Sequence, residues 1–374
     1  MCRILSLLIF STLIFSCSNK SEKQTIENST NGYANGFRIT EYNVVKKLTV
    51  INPWEKAKNI SINYFLISKG DEVPDSLVGK KIIRTPVNRI ICLSTTHLAF
   101  IDALNETDAV VGISGSQYVS NEKIRKKIKN KDVVDAGYGQ NLNYELIVNQ
   151  QPDLVMVYGI GSEVTSYTHK LEELGVPVIM VAEYLEESPL GKAEWIKFVS
   201  TVFEKEEEAD IFFNEIEQEY VALQKLAEGK ADKPKVLTGS PYKDSWWVPG
   251  ANSYMANLIK DAGGDYLGKE NSTHESYVIS FEHALAWANE ADVWINMGNL
   301  GSKQEIHATD SRFESFRVFR EGKLFNNIKL LSEHGGNDFW ESGTVYPNLI
   351  LRDLISIFHP DLIDVELVYY QEIK

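Results

Sequence analysis

The sequence predicts an α/β protein of two lobes with mostly parallel sheets, joined by a single long helix and preceded by an N-terminal β meander. Three observations predict it. Residues 205–226, KEEEADIFFNEIEQEYVALQKL, carry Ala209, Phe212, Phe213, Ile216, Tyr220, Leu223 and Leu226 at steps of three and four. That spacing is one face of an α-helix. On each side of it, short apolar strands alternate with helical segments and glycine loops, the order of Rossmann-like lobes. Before both, residues 37–69 alternate apolar and polar, with turn residues between the runs. The helix 205–226 is therefore expected to be a spine. Glu206, Glu207 and Glu208 stand at its start, where the helix dipole favours negative charge.

A length of 374 residues suits two domains, and 43% hydrophobic residues supply their cores. A formal net charge of −14 argues against a nucleic-acid partner, which demands basic surface, and against a broad grip on anionic lipid. Of three cysteines, only Cys92 belongs to the body, so no internal disulfide is expected there. Its apolar run, RIICL, makes it a small buried hydrophobe.

Taken in order, the chain begins with Arg3 and ILSLLIFSTLIF, an apolar stretch too short to span a bilayer as a helix. One positive charge, a short apolar core and small residues describe a secretory signal, expected over 1–16. It ends in LIFSC, which resembles the lipobox of bacterial lipoproteins. The resemblance implies cleavage before Cys17 and a lipid on that residue; Phe15 departs from the smaller residue usual there. Residues 17–35 are polar and nearly free of aliphatics, the composition of a flexible tether.

Within an N-terminal β extension, 36–86, FRITEYN, KKLTVINPW and ISINYFLIS are three strands of a meander, and KKIIR a fourth. The first α/β lobe is expected over 87–189. RIICL is its buried first strand; Ser94, Thr95 and Thr96 follow and can cap a helix over 97–103. Strands at 110–113, 153–158 and 176–181 alternate with helices at 142–149 and 166–174. The interlobe segment 190–228 holds a helix over 191–203 and then the spine. The second lobe, 234–374, has strands at 235–238, 245–248 and 292–296 and helices at 253–262, 281–288 and 346–358. The lobes echo each other. LNYELIVNQQPDLVMVYG and ISFEHALAWANEADVWINMG share helix, Glu, acid and strand, with Glu145 eight residues before Asp153 and Glu282 ten before Asp292.

These residues resemble class III solute-binding proteins of ABC importers, the family for cobalamin, iron-siderophores and haem. The resemblance spans 89–358. It rests on RIICLS before a helix, LNYE followed by PDLV, WVPG before a helix ending AGG, and Phe281-Glu282, in that order, with the lipobox and the mid-chain helix. It implies a ligand held in the cleft between the lobes and a stiff connection. It also implies that Glu145 and Glu282 dock on basic pockets of an ABC permease that works with its ATPase. Exposed carboxylates meeting arginines give register and on-rate more than bulk affinity. The protein is then expected to be a periplasmic, lipid-anchored monomer on a bacterial membrane, touching it only through the lipid, with no cofactor and no catalytic residues.

Ligands of open α/β lobes meet the loops at the carboxyl ends of strands. Those loops carry Thr95, Thr96, Tyr118, Tyr138 and Gly139 in the first lobe, and Trp246, Trp247, His334 and Trp340 in the second. Flat aromatic walls suit a large planar ligand such as a corrinoid or porphyrin. Strand alternation turns one of Trp246 and Trp247 inward. Cations are few near these loops (Lys243, Lys303 and Arg312), which favours a corrinoid over an anionic ferric siderophore. The seven histidines show no paired metal spacing, so no dedicated metal site is expected; His334 is the candidate axial ligand. Two alternatives stand beside the importer: a haem- or metal-binding surface lipoprotein without its own importer, and a secreted hydrolase, for which no GxSxG elbow is present.

Overall fold

The computed structural model describes residues 27–29, 31–42, 45–242 and 245–374. The expected signal, Cys17 and Lys243 lie outside them.

The N-terminal extension is a five-stranded sheet of β1 (Glu27–Ser29), β2 (Phe37–Tyr42), β3 (Val45–Ile51), β4 (Ser61–Ser68) and β5 (Lys81–Thr85), paired in that order. The first four are antiparallel and β5 joins β4 in parallel. The body therefore begins inside the stretch expected to be tether. Two buried carboxylates explain this. Glu194 accepts the amides of Gly32, Tyr33 and Ala34 at 3.0, 2.9 and 2.8 Å, and Glu186 those of Asn35 and Gly36 at 3.1 and 2.8 Å. Polar composition alone gives no sign of such docking.

The first lobe follows: β6 (Ile90–Cys92), α1 (Thr95–Ala103), β7 (Val110–Ile113), α2 (Glu122–Asn130), β8 (Val134–Asp135), α3 (Tyr144–Asn149), β9 (Leu154–Val157), α4 (Val164–Glu173) and β10 (Val178–Met180). Its sheet has the order β10-β9-β6-β7-β8 and is parallel throughout. Every residue of β6, β7, β9 and β10 is buried, as a sheet covered on both faces requires. Ser94 caps α1 by accepting from the Thr96 amide. The helix α2, EKIRKKIKN, has no wide apolar stripe; Ile124 is its one buried residue, and Asn121 caps it.

After α5 (Pro189–Phe203), the spine is α6 (Glu206–Glu228). Ala209, Phe213, Ile216 and Tyr220 are buried on the expected face, while Leu226 is exposed. It holds both halves. Tyr33 donates to Glu217 at 2.6 Å; Tyr220 and Gln224 donate to the two oxygens of Asp261 at 2.6 and 2.8 Å.

The second lobe comprises β11 (Lys235–Thr238), β12 (Pro241–Tyr242), β13 (Ser245–Val248), α7 (Tyr254–Asp261), β14 (Asp265–Tyr266), β15 (Tyr277–Ile279), α8 (Phe281–Glu290), β16 (Val293–Ile295), α9 (Lys303–Thr309), α10 (Arg317–Glu321), β17 (Lys323–Asn326), α11 (Pro347–Phe358) and β18 (Gln371–Glu372). Its main sheet runs β14-β11-β16-β17-β18, parallel except for β18. The strand at 245–248 is not part of it: β13 lies between β12 and β15 in a separate antiparallel sheet.

The echo between lobes is structural. Asn143 and Ser280 cap α3 and α8 by accepting from the amide three residues on. Glu145 and Glu282 are each the second residue of their helix, and both are exposed. Asp153 accepts the amides of Asn88 and Arg89 at 2.8 and 3.2 Å, and Asp292 that of Lys235 at 3.0 Å. Each aspartate thus fastens the start of the strand beside its own. The longer helix α8 takes up the difference in spacing.

Candidate functional site

The site is built where the strands of the first lobe end. Leu93 follows β6, Ser114 follows β7, and Tyr158 to Ile160 follow β9. With Tyr138, Gly139, Tyr144, Glu163 and Tyr167 they line a hollow of about 460 Å³. Gly115 turns the chain at φ +70°, where a side chain is strained, and the rings of Tyr118 and Tyr138 flank it. The aromatic floor is fixed by hydrogen bonds. Tyr167 donates to the carbonyl of Tyr158, and Tyr184 to that of Gly159 at 2.6 Å. Tyr158 packs edge-on to Tyr184 at 6.2 Å. Burial raises the Tyr158 hydroxyl above its ordinary range, and its hydrogen bond with Tyr138 raises it further. The floor therefore stays neutral.

A second hollow, of about 270 Å³, spans both lobes, and the Tyr184–Gly159 hydrogen bond ties its lining to that of the first. The first lobe gives it Tyr184, Leu185 and Glu187, and the extension gives Glu55, whose amide bonds the Ile160 carbonyl at 3.0 Å. The second lobe gives Pro249, Tyr254, Met255, His274, Glu275 and Trp340. Two contacts beside this hollow bridge the lobes. His274 Nδ1 lies 3.5 Å from Glu187, and Asn257 donates to the Glu187 carbonyl at 3.0 Å. On another face, buried Glu341 accepts the amides of Ser120 and Asn121 at 2.8 and 2.7 Å. Gly336 packs so close to the Tyr118 carbonyl that an added Cβ would sit 2.0 Å away.

Behind the floor lies a buried polar group. Thr96 hydrogen-bonds Ser94 at 2.8 Å and also reaches Glu183. Burial pushes the Glu183 carboxyl up and the Lys192 ammonium down, while each charge favours the other. The Lys192 Nζ stands 5.0 Å over the Tyr254 ring. His97 is fully buried beside Tyr158, and burial lowers it to about 3.

Of the sequence candidates, Tyr138, Gly139 and Trp340 line these hollows. Tyr118, Trp247 and His334 are exposed, and Thr95 and Thr96 are half-buried at the start of α1. Trp246 is a correction. It is 2% exposed, packed against both Trp294 and Phe316, and its indole donates to the Thr238 carbonyl at 3.2 Å. It belongs to the core, and Trp247 is the outward member of the pair. Lys303 lies over Phe319, and Arg312 over Phe281 with Asp310 paired to it at 2.6 Å. Sequence reasoning missed Glu55, Tyr144, Tyr184 and Tyr254 as lining residues. The carboxyl-end rule applied to β10 points to the segment holding Tyr184; nothing marks Glu55, which comes from another sheet. Among the described residues no three His, Cys, Asp or Glu side chains come together as a metal site, and no helix is long and apolar enough to cross a membrane.

Two α/β lobes joined by one helix, with an aromatic cleft between them, define a class III solute-binding fold. The chain belongs to the periplasmic binding protein family, whose model matches residues 90–325. An uncharacterised lipoprotein of Methanocaldococcus jannaschii is 27% identical over 91% of this chain and 88% of its own length. Among solved structures, a periplasmic heme binding protein from Pseudomonas aeruginosa superposes with a TM-score of 0.59 at 16% identity, covering 77% of this chain and 98% of that one. A possible iron-binding, periplasmic solute-binding protein from Staphylococcus epidermidis gives 0.57 at 16% identity, covering 75% and 100%. At such identities the solved structures show the fold.

Proposed function

We propose that this protein is the solute-binding component of an ABC importer. It captures a corrinoid or iron-siderophore complex between its lobes and delivers it to a permease. The observation that carries the reading is the tyrosine-lined hollow at the strand ends of the first lobe, together with the interlobe hollow lined by Tyr184, Tyr254 and Trp340. Heme binding by the Pseudomonas aeruginosa protein and possible iron binding by the Staphylococcus epidermidis one support a metal–organic ligand. Aromatic walls bury large flat ligands at low conformational cost. Glu145 and Glu282, on equivalent helix starts, are the proposed docking points on the permease. They are exposed and stand at capped helix N-termini, open to a partner's basic pocket. Cys17 is the proposed lipid anchor, the protein acts as a monomer, and a bacterial membrane is the proposed location. Calorimetric titration of the mature protein with cobalamin, haem and ferric siderophores tests the reading. One-to-one binding of one of them is expected; no heat with any at tens of micromolar would sink it.

A further inference from the structure

The interlobe hollow does not end at the two lobes. Its wall runs on into an outer hollow of about 870 Å³, since Glu55, Leu185, Glu186, Glu187, His274 and Glu275 line both. The outer part is walled by the loop between β3 and β4, through Asn52, Trp54, Lys56, Ala57 and Lys58. That loop belongs to the extension, ahead of the residues 90–325 that match the family model. It is fastened at several points. The Asn52 amide donates to the Ile60 carbonyl at 2.8 Å, and the Asn52 side chain accepts the Ile60 amide at 3.1 Å. The Ala57 amide donates to the Trp54 carbonyl at 3.1 Å. The Glu55 amide reaches, at 3.0 Å, the carbonyl of Ile160, a lining residue of the first-lobe hollow. Lys56 is held at φ +63°, a left-handed conformation that lysine rarely adopts.

The loop also carries the cations of the cleft. Among the described residues lining the three hollows, Lys56 and Lys58 are the only Lys or Arg. Both are exposed, and neither has an ion pair or hydrogen bond among the described residues. The carboxylates beside them are partly engaged. Buried Glu186 is taken up by the amides of Asn35 and Gly36 and the Trp195 indole, and Glu187 lies 3.5 Å from His274. Exposed Glu55 and Glu275 leave the outer hollow of mixed sign. Trp54 is half-buried, packed on the core beside Ile62 and Tyr64.

We infer that this loop of the extension is a third wall of the solute site, and that Lys56 and Lys58 receive an acidic group at the edge of a metal–organic ligand. The inference rests on the importer reading and names the chemistry of the ligand's periphery. The inner hollows offer an acid no ammonium or guanidinium, so a phosphate or carboxylate on the ligand is turned outwards, to the extension. A lysine suits this task, because its flexible stem and three donors adapt to either oxyanion. Concave walls strengthen the attraction over that of an open surface.

The test compares three pairs by calorimetry with the mature protein, each pair sharing one core with and without an acid. Cobalamin, whose nucleotide arm holds a phosphodiester, is set against cobinamide, which lacks that arm. Haemin is set against its dimethyl ester, and N-succinyl against N-acetyl ferrioxamine B. In whichever pair binds, the acid-bearing member is expected to bind about fivefold tighter at low salt, and less so as salt is added. Lys56→Gln/Lys58→Gln should bring the two members within about twofold, with folding checked by thermal denaturation. Binding of the phosphodiester but not the carboxylates, or the reverse, names the source of the acid. Equal affinities within every pair that binds overturn the inference and leave the importer reading in place. A preference unchanged in the folded double variant overturns it too. If no pair binds, the metal–organic reading itself fails, and the inference with it.

Discussion

Replacing Glu341 with Gln should stabilise the protein at pH 8 and change it little at pH 5. Glu341 is 3% exposed and crosses from the second lobe to the amides of Ser120 and Asn121. Burial raises its carboxyl, the two amides lower it, and the charges of Asp338 and Asp102 raise it again; the result is about 7, from an ordinary 4.5. The sign follows from linkage. The folded chain holds this proton more tightly than the unfolded one, so the site favours folding most below 4.5 and loses ground as pH rises to 7. Above 7 the ionised group costs about 3 kcal/mol, at 1.36 kcal/mol per pKa unit. Glutamine removes that cost but offers one acceptor oxygen where the carboxylate offers two, and a lost amide bond returns about 1 kcal/mol. The net expectation is about 2 kcal/mol of stabilisation at pH 8, and a difference within about 1 kcal/mol at pH 5. Urea unfolding of both proteins from pH 5 to 8 measures it. Identical pH slopes for the two proteins would refute the reasoning, as would a variant weaker by several kcal/mol at pH 8, because the amide bonds would then outweigh burial.

Other outcomes follow from the same geometry. Tyr220→Phe removes the hydroxyl that Asp261 accepts and should cost about 1–2 kcal/mol, read by thermal denaturation; Tyr220→Pro breaks the spine, should cost about 3 kcal/mol or more, and should reduce uptake as well. Glu145→Ala with Glu282→Ala should leave ligand affinity unchanged and abolish uptake by cells carrying the permease; normal uptake would remove both from the docking role. His97 is buried and held down to about 3, so its neutral form favours folding above pH 6.5 and that contribution is lost as pH falls towards 3. His97→Leu should flatten acid unfolding over that range, and an unaltered acid limb would show that other groups set it.

Most of the scaffold was legible because its signals are local. The spine's apolar steps, the Ser94, Asn143 and Ser280 caps and the buried strands β6, β9 and β11 follow from periodicity and hydrogen bonding along the chain. The helix α2 was not legible, since its lysines mask a single buried Ile124, and Lys127 is engaged by three carbonyls each at 2.9 Å. The site was legible by loop but not by residue. Tyr138 and Trp340 stand where strand ends place them, whereas Trp246 turns inward because β13 pairs in a separate sheet whose buried face meets Trp294. Glu55 could not be found by local reasoning at all. It reaches the cleft because the extension's loop bonds Ile160, a contact between residues about a hundred positions apart.

The central claim is that solute sits between the lobes, against the tyrosine floor. Hydrogen exchange of the mature protein with and without the ligand that calorimetry identifies tests it most directly. The account predicts ligand-dependent protection at 138–144, 158–167 and 184–187 in the first lobe and at 253–257 and 338–341 in the second. Protection confined to one lobe, or lying away from these loops, would contradict it.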